Sequence, residues 1–134
     1  MKNYAGKASK SKKNFIQKHL NSQKFAWLGL YSIFKEEPNF RIELIAAVLV
    51  LVLAPLLRVS LIEFLILVVT IGLVLMAEIV NSIVERICDI YTSEHHVGIK
   101  FIKDVAAGGV LLTSILSIIV GVVILGTRLY GIIF

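Results

Sequence analysis

The feature that most constrains this chain is an unbroken apolar run over residues 105–127, which contains no charged residue. A helix needs about 20 consecutive apolar residues to cross the hydrocarbon core of a bilayer. Two more apolar runs precede it, at residues 42–57 and 61–84. The first is short for a bilayer, and tilt or the flanking Arg41 and Arg58 can make up the difference. We therefore predict an all-α integral membrane protein with three transmembrane helices.

The distribution of charge indicates which side of the membrane each segment faces. The net charge is +5, and no acidic residue precedes Phe25, although seven lysines do: Lys2, Lys7, Lys10, Lys12, Lys13, Lys18 and Lys24. Lysines directly ahead of apolar spans favour a cytoplasmic N-terminus, and their placement argues against a nucleic-acid partner. Counting spans then puts the turn at Arg58 outside, residues 86–104 inside and the end near Arg128 outside.

Two segments are expected along the chain. Residues 1–21 are predicted as a basic cytoplasmic tail, and residues 22–130 as the membrane domain. Within this domain, residues 22–36 carry aromatic and aliphatic residues at helical spacing between Lys24 and Lys35. This pattern predicts an N-terminal amphipathic helix lying in the membrane interface. The alternative is an ordinary docking helix of a soluble core, which the adjoining spans disfavour.

One polar stripe carries the chemistry that the sequence predicts. In AEIVNSIVERICD, residues 77–89, at about 100° per residue, the side chains of Glu78, Asn81, Glu85 and Asp89 fall within about 80° of one another on a helix. An ionisable residue at membrane depth costs a few kcal/mol, so its presence is by default a functional hypothesis. A helix that simply emerges into water explains Asp89. It does not explain Glu78, which follows fourteen uncharged residues.

Carboxylates near a lysine suit magnesium and phosphate. Mg²⁺ prefers oxygen ligands, commonly one or two carboxylates together with substrate phosphates. Phosphoryl transfer mainly needs positioned charge and a group that accepts the proton of the nucleophile. Lys103 and Asp104 precede the third span, and Glu94, His95 and His96 lie in the preceding connection. Zinc usually needs more ligands than this connection offers, and a Gly-rich phosphate loop is absent from the sequence.

Four motifs follow one another along the chain: EEPNFRIEL (36–44), AEIVNSIVERICD (77–89), SEHH (93–96) and KDVAAGGVLL (103–112). In order and spacing, over about residues 25–125, they resemble the motifs of the prokaryotic diacylglycerol kinase/undecaprenol kinase family. The resemblance implies an interfacial helix, three spans, a homotrimer with composite sites, ATP as co-substrate and Mg²⁺ as cofactor. It also implies a bacterial plasma-membrane location with the active site on the cytoplasmic face. The lysine tail and the extra C-terminal residues resemble the Gram-positive undecaprenol kinase branch more than the enterobacterial diacylglycerol kinases.

The resemblance also implies a role for individual residues. Glu78 is the implied catalytic base, in contact with the lipid substrate and supported by Asn81. Glu37 and Glu85 are the implied ligands of the metal ion that bridges the ATP phosphates. The implied nucleotide site comprises Glu37, Glu85, Asp89, Glu94, His95, His96, Lys103, Asp104 and Lys18. The implied border of the lipid is formed by Trp27 and Phe25.

These observations predict an ATP-dependent kinase of a membrane lipid alcohol. Undecaprenol is the predicted acceptor, giving undecaprenyl phosphate, and diacylglycerol, giving phosphatidic acid, is the alternative. Both acceptors demand only an apolar groove for the tail. A proton- or cation-coupled transporter built on Glu78 is a further alternative. The polar stripe, however, opens only toward the cytoplasm, and a holin-like structural protein would need no such stripe.

Overall fold

The protein is helical throughout the part that the structure describes. The computed structural model describes the backbone of residues 3–91 and 96–134, and the side chains of residues 17–91 and 96–134. The helices in these ranges are α1 (Asn3–Glu36), α2 (Pro38–Leu56), α3 (Leu61–Tyr91) and α4 (Val97–Ile133). The last three are long and apolar enough to cross a membrane. The prediction of an all-α membrane protein with three membrane-capable helices is confirmed.

The helices extend beyond the apolar runs that predicted them. α2 starts at Pro38, whose missing N–H costs nothing in a first helical turn. α3 continues beyond the apolar run, through a charged end, to Tyr91. α4 begins at Val97, eight residues before the predicted run. An ion pair between Lys100 and Asp104, one helical turn apart, supports this added turn.

The N-terminal segment is one helix of 34 residues, and it begins well before residue 22. Residues 3–21 contain no proline and are rich in Lys, which favours helix. The chain divides into two compact units, residues 1–36 and 37–134. Glu37 has extended backbone angles, as the residue before a proline prefers. The division therefore falls ahead of Pro38, and the boundary between a basic tail and the membrane domain at residues 21 and 22 stays a prediction.

The turn after α2 ends that helix with a Schellman motif. The amide of Val59 donates to the carbonyl of Ala54 at 3.2 Å, and the amide of Arg58 donates to that of Pro55 at 3.1 Å. Arg58 has a φ of 52°, in the left-handed region where glycine is usual. The arginine is therefore held there by the turn at a conformational cost.

α3 begins with a capping box and is tied to α4 at the same end. Glu63 Oε2 accepts from the amide of Ser60 at 2.6 Å, and Ser60 Oγ accepts from the amide of Glu63 at 3.3 Å. Arg128 of α4 donates to both carboxylate oxygens of Glu63, with a shortest distance of 2.5 Å. This end of the α3–α4 pair is thus fixed by hydrogen bonds across the two helices.

The three spans pack with α3 between the other two. Ala54, Leu67 and Ile124, one from each helix, form a small core cluster. Most other apolar side chains are exposed, and only 6% of the most apolar stretch of α4 is buried. Such surfaces are unfavourable in water and are suited to contact with lipid or with other spans.

Candidate active site

The polar stripe on α3 runs from a buried to an exposed environment. Glu78 is 2% exposed and Asn81 is 7% exposed, whereas Glu85 is half-buried and Asp89 is exposed. The sequence analysis did not single out Ser82, which is also buried and donates through Oγ to the carbonyl of Glu78 at 2.9 Å. The helix therefore shields its deepest carboxylate and presents its last one to solvent.

Four carboxylates come together where the start of α2 meets the C-terminal half of α3. Glu78 experiences the repulsive charges of Glu37 and Glu85. Glu43, on α2, experiences that of Glu78. Like charges brought together away from water raise the free energy of the folded state unless a cation compensates them. The arrangement is therefore suited to a positively charged ligand.

Two buried acceptors in this region have no hydrogen-bond partner among the residues that the structure describes. They are Oε2 of Glu43 and Oδ1 of Asn81. The amide nitrogen of Asn81 donates to Oε1 of Glu85 at 3.2 Å. The structure thus joins Asn81 to a predicted metal ligand, whereas the resemblance pairs it with Glu78. Buried polar atoms are normally satisfied, so the two acceptors indicate a place for a ligand.

These donors fit Mg²⁺ bound together with phosphate. Carboxylate and amide oxygens are hard ligands, and Mg²⁺ takes one or two carboxylates while phosphates and water fill its other positions. Within residues 3–91 and 96–134, no group of three or more His, Cys, Asp or Glu is arranged to hold a metal ion. The donor set accordingly suits an ion that arrives with a nucleotide better than a closed protein-only site.

Glu43 is the functional candidate that the sequence analysis missed. It lies inside the predicted first span, two residues after Arg41, and one of its oxygens is buried. An ionisable residue inside a predicted span is by default a functional hypothesis, so the sequence contained the same signal for Glu43 as for Glu78.

An apolar cavity of about 720 Å³ lies between the three spans, and Glu43 is its one charged lining residue. α2 lines it from Ile42 to Leu57, which is about 22 Å along a helix. Val74, one turn before Glu78, also lines it. The cavity thus forms a long apolar channel with Glu43 in its lining.

The C-terminal end of α3 and the N-terminal part of α4 are joined by an ion pair. Lys103 Nζ lies 2.5 Å from Oδ1 of Asp89, and the lysine also interacts with the charge of Glu85. Asp104 instead pairs with Lys100. The structure therefore brings together three of the predicted nucleotide residues, Asp89, Lys103 and Glu85, in one region.

His96 is the N-cap of α4. Its Nδ1 accepts from the amide of Gly98 at 3.2 Å, and the residue is exposed. A side chain added at Gly98 would contact the imidazole ring, so this glycine allows the cap. Glu94 and His95, also predicted at the nucleotide site, lie outside the described residues.

The remaining predicted contacts lie on α1. Lys18, Phe25 and Trp27 are exposed, and Trp27 is 72% exposed. Lys18 and Phe25 share one face, where they line a shallow depression with Gln17, Asn21 and Ser22. These residues belong to the first compact unit, and their contacts with nucleotide and lipid stay predictions.

Three membrane-capable helices, a buried carboxylate stripe and an adjoining apolar cavity define an integral membrane protein equipped to act on an apolar molecule with a polar end. A family model described as prokaryotic diacylglycerol kinase matches residues 24–125. The chain belongs to this family, and it is a membrane lipid kinase that carries out ATP-dependent phosphoryl transfer.

Individual relatives agree with this assignment. An undecaprenol kinase of Bacillus subtilis (strain 168) is 33% identical over 116 residues, covering 87% of this chain and 94% of the relative. A diacylglycerol kinase of Synechocystis sp. is 37% identical over 103 residues, covering 76% of this chain and 59% of the relative. A diacylglycerol kinase of Escherichia coli (strain K12) is 33% identical over 101 residues, covering 75% of this chain and 83% of the relative. The predicted family and reaction class are confirmed.

Proposed function

We propose that this lipid kinase transfers the γ-phosphoryl group of ATP to undecaprenol at the cytoplasmic face of the bacterial plasma membrane. The observation that carries the proposal is that the buried Glu78 interacts with Glu43, the charged residue that lines an apolar cavity. A lipid alcohol presents one hydroxyl on a long apolar tail. A proton acceptor beside an apolar channel is what such a molecule requires.

In this mechanism Glu78 accepts the proton of the lipid hydroxyl. The hydroxyl oxygen forms a bond to the γ-phosphorus, the bond to the β-phosphate oxygen breaks, and ADP leaves. The burial of Glu78 helps to exclude water, which would otherwise compete as the phosphoryl acceptor. Asn81 orients Glu85 through the hydrogen bond between their side chains, and so supports the site as a positioning residue.

Glu37 and Glu85 would hold Mg²⁺, which neutralises charge on the β- and γ-phosphates when it is bound. Lys103 would donate to a phosphate oxygen in place of Asp89, and this requires their ion pair to rearrange. The other proposed nucleotide contacts are Asp104, Glu94, His95, His96 and Lys18.

Two observations favour undecaprenol as the acceptor. The alignment with the Bacillus subtilis undecaprenol kinase covers almost all of that relative. The cavity also extends about 22 Å along α2, which suits one long chain lying along the helices. Diacylglycerol is the second candidate, because the relatives from Synechocystis and Escherichia coli carry that name. For either lipid, Trp27 and Phe25 would border the head of the substrate from an interfacial α1.

We further propose a homotrimer in which each site draws residues from two chains. The spans expose most of their apolar surface, which leaves whole helix faces for a neighbouring chain. Glu37 lies at the N-cap of α2, outside the helix that carries Glu78, so the two residues can be supplied by different chains.

The direct test is phosphoryl transfer from labelled ATP by the purified protein in lipid nanodiscs. The acceptors are undecaprenol, diacylglycerol and an undecaprenyl ether that lacks the hydroxyl. We expect label on undecaprenol with a higher kcat/KM than on diacylglycerol, and none on the ether. Preference for diacylglycerol would overturn the proposed acceptor. The Glu78→Gln variant controls for contaminating kinases.

A further inference from the structure

The first 23 residues carry a charge pattern that the kinase reaction does not require. The family match begins at residue 24, so these residues lie outside it. They contain six lysines and no acidic residue, and the first acidic residue of the chain is Glu36. Of the six, only Lys18 has a proposed role at the nucleotide. A positive segment of this density attracts a negatively charged partner.

The lysine-rich segment belongs to a helix that is equipped for a membrane surface. α1 is continuous from Asn3 to Glu36, so five of the six lysines, from Lys7 to Lys18, share one helix with the residues that precede the first span. At helical spacing, Leu20, Trp27, Tyr31 and Phe34 lie within about 60° of one another. All four are exposed. A basic helix with an exposed aromatic and aliphatic stripe is typical of segments that lie on bilayers.

The chain itself holds this helix close to the membrane. Only Glu37 separates α1 from α2, the first membrane-capable helix. The C-terminal end of α1 is therefore within a few ångströms of the start of a span, whatever its direction. A polybasic segment directly next to a span is the pattern expected for binding to phosphatidylserine-like or other acidic headgroups.

We propose that the basic part of α1, up to residue 23, forms a docking surface for anionic lipid headgroups, which holds α1 on the membrane beside the lipid kinase. The partner is the negatively charged bilayer surface, and the attraction is between lysine ammonium groups and lipid phosphates. Because the kinase turns a neutral alcohol into an anionic lipid, its own product strengthens this docking. The helix thereby responds to accumulated product as well as to the resident acidic lipids.

The test follows the environment of the tail in the full-length protein. A fluorophore that reports polarity is attached at Ser9→Cys in a Cys88→Ala background, and the protein is placed in phosphatidylcholine nanodiscs. Matched discs carry about 30 mol% phosphatidylglycerol, or the same fraction of a lipid phosphate monoester. The charge variant replaces Lys7, Lys10, Lys12 and Lys13 with Gln, and the matched control replaces the same four with Arg.

We expect a blue shift in both kinds of anionic disc and not in phosphatidylcholine. The shift should disappear at about 0.5 M salt, since screening then acts within a few ångströms. It should also be lost with glutamine and kept with arginine, because each lysine changes the bound-to-free ratio by about fivefold. All variants should phosphorylate a lipid alcohol equally in detergent micelles.

Three outcomes would overturn the proposal. One is the same emission in neutral and anionic discs. Another is a shift that survives both high salt and the glutamine variant, since apolar contact alone would then hold the helix. The third is a response to an added oligonucleotide in neutral discs without any response to anionic lipid, which would assign the segment to nucleic acid.

Discussion

Glu78 occupies a position that stability alone does not explain. Its side chain is almost fully shielded, and Glu37 and Glu85 repel it. Replacing a buried charge that lacks a favourable partner with a neutral side chain of similar size is often neutral or stabilising. Activity and stability are therefore expected to change in opposite directions at this residue, as is common at functional sites.

The first prediction concerns the opposite effects of a substitution at Glu78 on activity and on stability. Glu78→Gln keeps the size of the side chain but removes the proton acceptor, so kcat should fall by about 10²–10⁴-fold. The midpoint of thermal unfolding in nanodiscs should be unchanged or higher. Glu43→Gln is the matched control, since it removes a carboxylate that lines the cavity without removing the base. We expect this control to raise the KM for lipid more than it lowers kcat. Near-normal kcat in the folded Glu78 variant would remove this residue from the base role.

The second prediction concerns the metal ion. If Glu37 and Glu85 share Mg²⁺, replacing either with Gln should raise the Mg²⁺ concentration needed for half-maximal activity by at least about tenfold, because a hard cation loses a charged ligand. Asp104→Asn is the control, because Asp104 pairs with Lys100 and is not a proposed metal ligand. Magnesium titrations that stay unchanged in both glutamate variants would place the ion elsewhere.

The third prediction uses the ion pair between Asp89 and Lys103. Asp89→Asn should raise the KM for ATP severalfold, because the ammonium of Lys103 loses the carboxylate that orients it. Lys103→Gln should raise it further, since a phosphate contact is lost. The double variant should be no worse than Lys103→Gln alone, as expected of residues that act through one another. Fully additive effects in this cycle would mean that Asp89 acts on ATP independently.

At the scale of the helices, the turn between α2 and α3 gives the fourth prediction. The positive φ of Arg58 costs a residue with a Cβ about 1 kcal/mol or more, and glycine avoids this cost. Arg58→Gly should therefore stabilise the protein by about 0.5–1 kcal/mol, after allowing for the greater freedom of glycine when unfolded. Arg58→Ala removes the charge but keeps the Cβ, so it should bring no gain. Equal unfolding midpoints for the two variants would exclude backbone strain as the cause.

The helices show what sequence reasoning can and cannot supply. The spans were predicted because an apolar run of bilayer length has few alternatives. The starts of α1 and α4 were missed, since polar residues with high helix propensity give no periodic signal at an end. Glu78 was found because it interrupts fourteen uncharged residues. Glu43 was missed because it lies near the end of its span, where charged residues are common and do not by themselves indicate a function.

Contacts between helices were beyond the sequence argument. Asn81 and Glu85 are four residues apart on one helix, so their hydrogen bond follows from helical spacing alone. The pairs Asp89–Lys103 and Glu63–Arg128 depend on how α3 and α4 face each other. A single sequence indicates which two segments form helices, but it does not indicate how the two helices are rotated relative to each other. The cavity that ends at Glu43 requires the same information for three helices.

At the scale of the whole molecule, the fifth prediction tests shared sites. At a Mg²⁺ concentration too low for the Glu37→Gln chain, this chain and a Glu78→Gln chain should each show little activity alone. Mixed before assembly, they should recover part of the activity, because some sites then combine an intact Glu78 with an intact Glu37 from different chains. Mixing two preparations of the same variant is the control and should recover nothing. Mixed oligomers that form but stay inactive at every ratio would show that each chain builds its own site.

The unbroken course of α3 has a consequence for the surrounding bilayer. Its first turn is fixed by Ser60 and by Arg128 of α4, and Glu78 follows fifteen residues after Glu63, about 22 Å along the axis. The length of the helix therefore sets the distance of Glu78 from one surface of the membrane, whereas the hydroxyl of a lipid lies at a fixed depth below the opposite surface. The carboxylate of Glu78 and the lipid hydroxyl lie at the same depth only at one hydrocarbon thickness. The activity should then depend on that thickness, and the same alcohol should be phosphorylated fastest in host lipids of a particular acyl length.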